Sequence, residues 1–162
     1  QLKKNLEYLR IGSNDGAKHL MGGDQVEQKT PGWYLSPALF INAKSEMKIC
    51  REEIFGPIAA VISVSDYDEA LSVANDSEFG LSAGIVSNDR LIIDHFIANI
   101  QAGMVQINLP TAGMDFHAPI TGRKNSSFGP PEKSSYCREF FTNTKVIHAN
   151  YGKRLNSKRE GS

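Results

Sequence analysis

An α/β domain built on a parallel sheet is the fold this sequence predicts, and two observations carry the prediction. Between residues 58 and 107, apolar β-branched runs alternate with stretches of helical periodicity: strand, helix, strand, helix, strand, joined by short links. The first run, Ile58 to Val64 (IAAVISV), has no polar alternation until Ser63, the pattern of a strand covered on both faces. A βαβαβ unit of this kind places its strands parallel and packs its helices on the sheet.

The elements follow in chain order. Leu2, Leu6 and Leu9 recur at helical spacing, and Gly12 offers a stop. Gly16 to Gly23 has room for a small strand. Trp33 to Ile41 (WYLSPALFI) reads as extended, with Pro37 weakening it as a central strand. After the first buried strand, Asp66 can cap a helix with Glu69 as its box partner, and Ala70, Val73 and Ala74 form the inner face. Leu81 to Val86 is the second strand of the unit. Asp89 to Ile100 is its second helix, with Leu91, Ile92, Phe96 and Ile100 on one stripe, and Gly103 to Ile107 is its third strand. Asn108 to Pro131 is long, irregular and rich in Gly and Pro, the kind of loop that is usually functional or a linker. Pro131 suits the first turn of a short helix running to about Phe140. Phe141 to Ala149 (FTNTKVIHA) alternates like a strand and, being last, reads as an arm that pairs elsewhere. The polar, basic tail from Gly152 to Ser162 is expected to be disordered.

Composition narrows the function. The chain has 162 residues, of which 40% are hydrophobic and 22% charged, an ordinary globular balance for about one domain. Eighteen Lys and Arg offset 18 Asp and Glu, and zero net charge argues against a dedicated nucleic-acid or membrane-surface binder. No apolar run approaches the roughly 20 residues of a membrane span. The cysteines, Cys50 and Cys137, lie far apart with no CxxC and no Cys/His cluster, so no metal site is expected. Isolated thiols and the lack of a signal peptide fit a reducing compartment, and a cytoplasmic location is expected. Both cysteines read as packing thiols, because neither has a nearby histidine to act as helper base.

Gly80-Leu81-Ser82-Ala83-Gly84 matches G-x-S-x-G, but a helix precedes it and a strand follows, the reverse of a nucleophile elbow. No G-x-G-x-x-G follows a strand and no P-loop occurs, so the chain carries no phosphate cradle of its own. His117, in the long loop beside Asp115 and Phe116, is the one histidine in a site-like setting, and a structural role is expected for it. The strongest signal is Arg51-Glu52-Glu53-Ile54-Phe55-Gly56-Pro57. It presents carboxylates and a ring at the end of a strand, where ligands bind in open α/β sheets.

That segment, REEIFGP, resembles a signature of the aldehyde dehydrogenase superfamily. So does the block Glu69 to Gly84, which contains AND and ends in FGLSAG. GMVQIN (Gly103 to Asn108), GRKNSSFG (Gly122 to Gly129) and the closing FFTNTKVIH match the family's later blocks in order. The resemblance spans nearly the whole chain up to the tail. NLPTAG (Asn108 to Gly113), the DFHAP after it and the GRKNSS run are similar to members acting on α-ketoglutarate semialdehyde (2,5-dioxovalerate).

The resemblance implies that this is the C-terminal portion of such an enzyme. Residues 1–140 would be the rear of the catalytic domain, 141–150 an oligomerisation strand and 151–162 a tail. Family members oxidise an aldehyde through a cysteine thiohemiacetal, hydride transfer to NAD or NADP, and thioester hydrolysis. Their nucleophilic Cys, base Glu, oxyanion Asn and dinucleotide domain all precede the matched region, and neither Cys50 nor Cys137 aligns with the nucleophile. No catalytic residue is therefore expected here, and no cofactor is expected to bind this chain alone. By position, Glu53 matches the carboxylate that hydrogen-bonds the nicotinamide ribose, and Phe55 the ring near the nicotinamide. Thr111, Met114 and Phe116, within the loop Leu109 to Phe116, match the segment lining the aldehyde tunnel. The last strand implies a homo-oligomer. The sequence departs from the family at Pro119-Ile120-Thr121-Gly122, where Pro-Phe-Gly-Gly is usual. A non-catalytic assembly module, pairing with a full-length relative through residues 141–149, is the alternative expectation.

Overall fold

The computed structural model describes residues 1–152, so most of the basic tail lies outside the described residues. The chain begins with α1 (Leu2–Asn14), followed by β1 (Lys18–Met21), β2 (Gln25–Val26), β3 (Tyr34–Leu35), β4 (Ala38–Ile41), α2 (Lys48–Arg51) and β5 (Ile58–Ala60). It continues through α3 (Tyr67–Asn75), β6 (Phe79–Gly80), β7 (Ser82–Ile85), α4 (Arg90–Asn99), β8 (Met104–Ile107), β9 (Arg123–Lys124) and α5 (Tyr136–Phe140).

The class is α/β, as expected, but the parallel pairing is divided. β4 is central in a three-stranded sheet, antiparallel to β1 and parallel to β5. β7 and β8 form a separate parallel pair, in register from Ser82↔Met104 to Ile85↔Ile107. The expected single βαβαβ sheet is therefore corrected to two parallel pairs linked by α3. Coverage is corrected with it: Ile58 is half-buried and Ala59, Ala60 and Val61 are exposed. The apolar run is strand-like, but β5 is an edge strand among the described residues, and of the run only Ile58 and Ile62 pack against the first core. Pro37 lies immediately before β4, where its missing N–H removes no ladder bond, so β4 can still be central.

Each parallel pair has its own core. The first gathers Tyr8 and Leu9 of α1, Ala38 and Phe40 of β4, Met47, Ile49 of α2, and Ile54. The second packs Phe96 of α4, Ile100 at its C-cap and Ala102 against Tyr67, Leu71, Ile85 and Val105. On α3, Tyr67 and Leu71 reach this core, whereas Ala74 of the expected inner face is exposed. Leu91 likewise turns outward from α4.

Local chemistry sets the helix starts. The Asp66 carboxylate accepts from Glu69 N at 2.8 Å, and the Glu69 carboxylate accepts from Ser65 N at 2.7 Å, one residue beyond the usual box. The Ser65 backbone N–H, and after it the Ser65 hydroxyl at 2.7 Å, hold the Glu69 carboxyl below its ordinary range. A depressed folded pKa contributes stability above the unfolded value, and that contribution is lost as pH falls through the folded value. The thermal midpoint should therefore drop on acidification below about pH 4, and Glu69→Gln should flatten that dependence in circular-dichroism melts. At α4, Asp89 accepts from Leu91 N at 2.8 Å and from Ile92 N at 3.3 Å. Asp89→Ala should cost about 1 kcal/mol in urea denaturation; a loss below roughly a third of that would mean the cap is replaceable by water.

The C-terminal elements differ most from expectation. The helix foreseen from Pro131 begins at Tyr136. Lys133 and Ser134 have φ of 65° and 50°, and Glu132 bridges to Ile120, so the chain between them bends instead of winding. Residues 141–149 take no strand pairing among the described residues, and Phe141, Val146 and Ile147 are exposed. An alternating strand without a partner strand has no ladder to join.

Candidate functional site

The segment from Arg51 to Pro57 joins α2 to β5, and its geometry follows from which side chains are tied down. Ile54 is buried in the first core and anchors the loop. Glu52 accepts a hydrogen bond from Tyr8 Oη at 2.5 Å and lies 3.7 Å from Lys48 Nζ. The Tyr8 phenol is pushed above its ordinary pKa chiefly by that bond to Glu52. Gln1 Nε2 donates to the carbonyls of Ile54 and Phe55 at 2.8 and 2.9 Å. The Asn5 amide lies against Gly56, where a Cβ would come within 2.4 Å of it. On the other flank, Arg51 forms an ion pair with Asp76 at 2.5 Å, which holds the Asp76 carboxyl below its usual range.

Between these anchors, Glu53 and Phe55 face outward. Glu53 is exposed, takes no side-chain partner among the described residues, and lines a cleft of about 310 Å³ with Phe79, Leu81, Asn125 and Ser126. Phe55 has φ of 56° and a ring 77% exposed. A left-handed backbone at an aromatic residue costs of order 1 kcal/mol and persists only where its surroundings over-determine it. The two hydrogen bonds from Gln1 and the burial of Ile54 supply that constraint.

The second candidate region follows β8. Thr111 is exposed and its methyl lies over Gly84 of β7. Met114 is half-buried with its sulfur against the Gln106 side-chain amide. Phe116 is 70% exposed, and its ring lies tilted by 37° against His117, 3.7 Å between centroids. His117 in turn contacts Asp115, Nδ1 to Oδ1, at 3.0 Å. Thr111 and Met114 thus sit beside the β7–β8 pair, whereas Glu53 and Phe55 sit on the first unit. No described cavity has both groups in its lining.

A larger, mostly apolar groove of about 670 Å³ runs between α1 and β3, lined by Leu2, Leu6, Trp33, Tyr34 and Pro57. It holds no carboxylate, and Glu53 does not reach it. Cys50 is half-buried, and burial raises its thiol pKa against the opposing pull of Arg51, which fits a packing thiol. Cys137 is exposed on α5, a correction to the expectation that it packs. Among the described residues, no cluster of three His, Cys, Asp or Glu side chains could hold a metal ion. Among them too, no helix is long and apolar enough to cross a membrane. Sequence reasoning missed the loop's anchors, Gln1, Asn5, Tyr8 and Asp76. The first three recur at helical spacing from the N-cap Gln1 into α1, a polar stripe adjoining the leucine face.

Comparison with known proteins adds what geometry alone does not. The model of the aldehyde dehydrogenase family matches residues 1–147. The chain is 42% identical over 149 residues to alpha-ketoglutaric semialdehyde dehydrogenase of Bacillus subtilis, covering 91% of this chain and 30% of that protein. It is 38% identical to 2,5-dioxopentanoate dehydrogenase of Saccharolobus solfataricus, covering 91% of this chain and 31% of that one. Among solved structures, an NAD-dependent aldehyde dehydrogenase from Sinorhizobium meliloti superposes with a TM-score of 0.83 at 34% identity, over 94% of this chain and 30% of that one. Indole-3-acetaldehyde dehydrogenase of P. syringae, in complex with NAD+ and IAA, gives 0.82 at 33% identity, over 89% of this chain and 29% of that one. The chain thus spans less than a third of the length of these relatives.

Proposed function

The chain belongs to the aldehyde dehydrogenase family, and we propose that it supplies the C-terminal part of an NAD(P)-dependent enzyme that oxidises an aldehyde to a carboxylic acid. The observation that carries this reading is the Glu52–Pro57 loop. Its neighbours are fixed to α1 and α3, while Glu53 and Phe55 remain available to a ligand.

These two residues fit the nicotinamide end of a dinucleotide. A carboxylate accepts hydrogen bonds from both hydroxyls of a ribose, and an exposed ring supplies a flat apolar wall. When bound, the dinucleotide supplies the hydride acceptor. Glu53 then orients the ribose, and Phe55 limits water and the motion of the ring. Thr111, Met114 and Phe116 would line the approach of the aldehyde. The names of the relatives in B. subtilis and S. solfataricus support α-ketoglutarate semialdehyde as substrate.

Alone, the chain is proposed to be inactive. A covalent thiol route needs a primed nucleophile, an oxyanion donor and a base in one place. Here Cys50 is held toward its neutral form and Cys137 is on a short surface helix. The uncovered β5 edge and the exposed Phe141, Val146 and Ile147 support a role inside a larger assembly, with residues 141–150 as the arm joining copies. The free thiols support a reducing, cytoplasmic setting. A non-catalytic module that pairs with a full-length relative through the same arm is the second reading, and the same exposed residues favour it.

Reduced nicotinamide absorbance with α-ketoglutarate semialdehyde tests the first reading. The chain should give no turnover with either NAD or NADP, and measurable turnover would overturn the inactivity. In the full-length enzyme, Glu53→Gln should raise the dinucleotide KM about tenfold, the scale of losing a charge-assisted hydrogen bond. An unchanged KM would remove Glu53 from the binding site. Deleting residues 141–149 should abolish self-association in light scattering, and an unchanged mass would exclude the arm.

A further inference from the structure

The two cores are joined by backbone through residues 62–66, and among the described residues side-chain hydrogen bonds tie them together at one place. Among the described residues, the only side-chain hydrogen bonds between residues 1–64 and 65–152 are those of Arg51 with Asp76. Arg51 Nη1 donates to the Asp76 carbonyl at 2.6 Å, and Nη2 donates to its carboxylate at 2.5 Å. Two contacts from one planar guanidinium fix direction as well as distance.

Both ends of this link are held. Asp76 caps the C-terminus of α3, with its N–H donating to Ser72 O at 2.9 Å. A cation suits the carbonyl end of a helix. The cap itself is tied to the second unit: Lys124 Nζ donates to the Asn75 and Ser77 carbonyls at 2.6 and 2.8 Å. The Asn75 side chain donates to Asn99 O at 3.0 Å and accepts from Gln101 N at 2.8 Å, fastening α3 to the end of α4. On the other side, Arg51 is the last residue of α2, next to Glu52, which is held by Tyr8, and just ahead of Glu53.

We propose that the Arg51–Asp76 pair is the tether that sets the Glu53–Phe55 loop against the β7–β8 unit and its loop 109–116, which makes Arg51 a positioning residue for dinucleotide binding. The proposal rests on the reading of Glu53 and Phe55 given above. Its effect is geometric. Both partners are substantially exposed, and exposed ion pairs contribute little to stability, so the tether acts on where Glu53 sits more than on whether the chain folds.

The test compares Arg51→Ala, Arg51→Lys, Asp76→Ala and the swap R51D/D76R in the full-length enzyme. Arg51→Ala and Asp76→Ala should raise the dinucleotide KM on the order of tenfold, within the 100-fold scale of a roughly 1 Å misplacement, with kcat changing less. The swap should recover part of the loss. Where Glu53→Gln raises the KM, a KM unchanged in Arg51→Ala overturns the tether, as does a swap no better than either single variant. Should Arg51→Ala fail to fold, Arg51→Lys decides: it keeps the charge and loses the two-point grip, so its KM should lie between wild type and Asp76→Ala, and a wild-type KM overturns the proposal. Hydrogen exchange on the 162-residue chain separates this from the reading it rests on. Exchange across residues 52–56 should quicken in Arg51→Ala and Asp76→Ala while β4 is unchanged. A wild-type KM in Glu53→Gln with quickened exchange in Arg51→Ala would reject the ribose reading and keep the tether. Unchanged exchange across 52–56 would reject the tether.

Discussion

Phe40→Ala should remove about 3–5 kcal/mol of folding stability, the range for truncating a fully enclosed aromatic. Phe40 is 0% exposed and sits in the middle of β4, paired with His19 of β1 on one side and Ala60 of β5 on the other. The His19 ring stacks on it at 4.8 Å. On α1, Gly12 leaves room for the ring, since a Cβ there would lie 3.1 Å from Phe40 Cε1 and Cζ. Sheet and helix are thus built around this one side chain, and neither can close over an alanine without moving the other. A domain of this size has roughly 5–15 kcal/mol in hand, so the loss is a large fraction of the whole. It should also loosen the Glu53 loop, because Ile54 anchors in the same core. Urea denaturation followed by circular dichroism measures it. A loss under about 1 kcal/mol would mean that α1 collapses onto β4 and fills the space.

The features legible in the sequence are those fixed by near neighbours. Asp66 and Asp89 cap the helices that their positions announce, because a cap bond spans only two or three residues. Glu53 and Phe55 stand out because a charge and a ring beside a Gly-Pro turn rarely serve a core. Distant pairing was not legible. Ile58 to Val64 reads as a doubly covered strand from its composition, yet coverage depends on what packs over its two faces, and the segment itself does not encode that. The partner of Arg51 lies 25 residues away within Asn75-Asp76-Ser77, a run that looks like an ordinary helix end. The separation of Glu53 from Thr111, Met114 and Phe116 is of the same kind. Each group is locally recognisable, and the distance between them is set by how α3 bridges the two parallel pairs.

Gly103→Ala should be the most damaging single-methyl change in the second unit. A Cβ on Gly103 would lie 2.0 Å from the Thr121 carbonyl oxygen and 2.5 Å from its carbon. Those atoms are backbone, so they cannot rotate away as a side chain would. The neighbouring strand offers no slack. Gly103 N donates to Gly80 O at 2.9 Å, and a Cβ on Gly80 would itself meet Gln101 O at 2.3 Å. Three stretches of backbone converge here: β6 entering β7, the start of β8, and the chain returning from the 109–116 loop. Pushing Thr121 outward should strip Arg123 and Lys124 of β9 from their register with Gly80 and Phe79. It should also draw the Lys124 ammonium off the Asn75 and Ser77 carbonyls, loosening the end of α3 that Arg51 grips. Overpacking typically costs about 1–3 kcal/mol, and a clash against backbone belongs at or above the top of that range. Gly113→Ala is the comparison. Its site has φ of +81° but nothing within 4 Å of a Cβ, so only the conformational term, about 1–2 kcal/mol, applies. Denaturant midpoints together with the rate of proteolysis between residues 109 and 122 distinguish the two. A much larger loss and faster cutting in Gly103→Ala would show that the crossing holds the loop in place. Equal losses would mean that Thr121 yields freely and that the loop's position is set from its other end, where Thr111 and Met114 rest on β7 and β8.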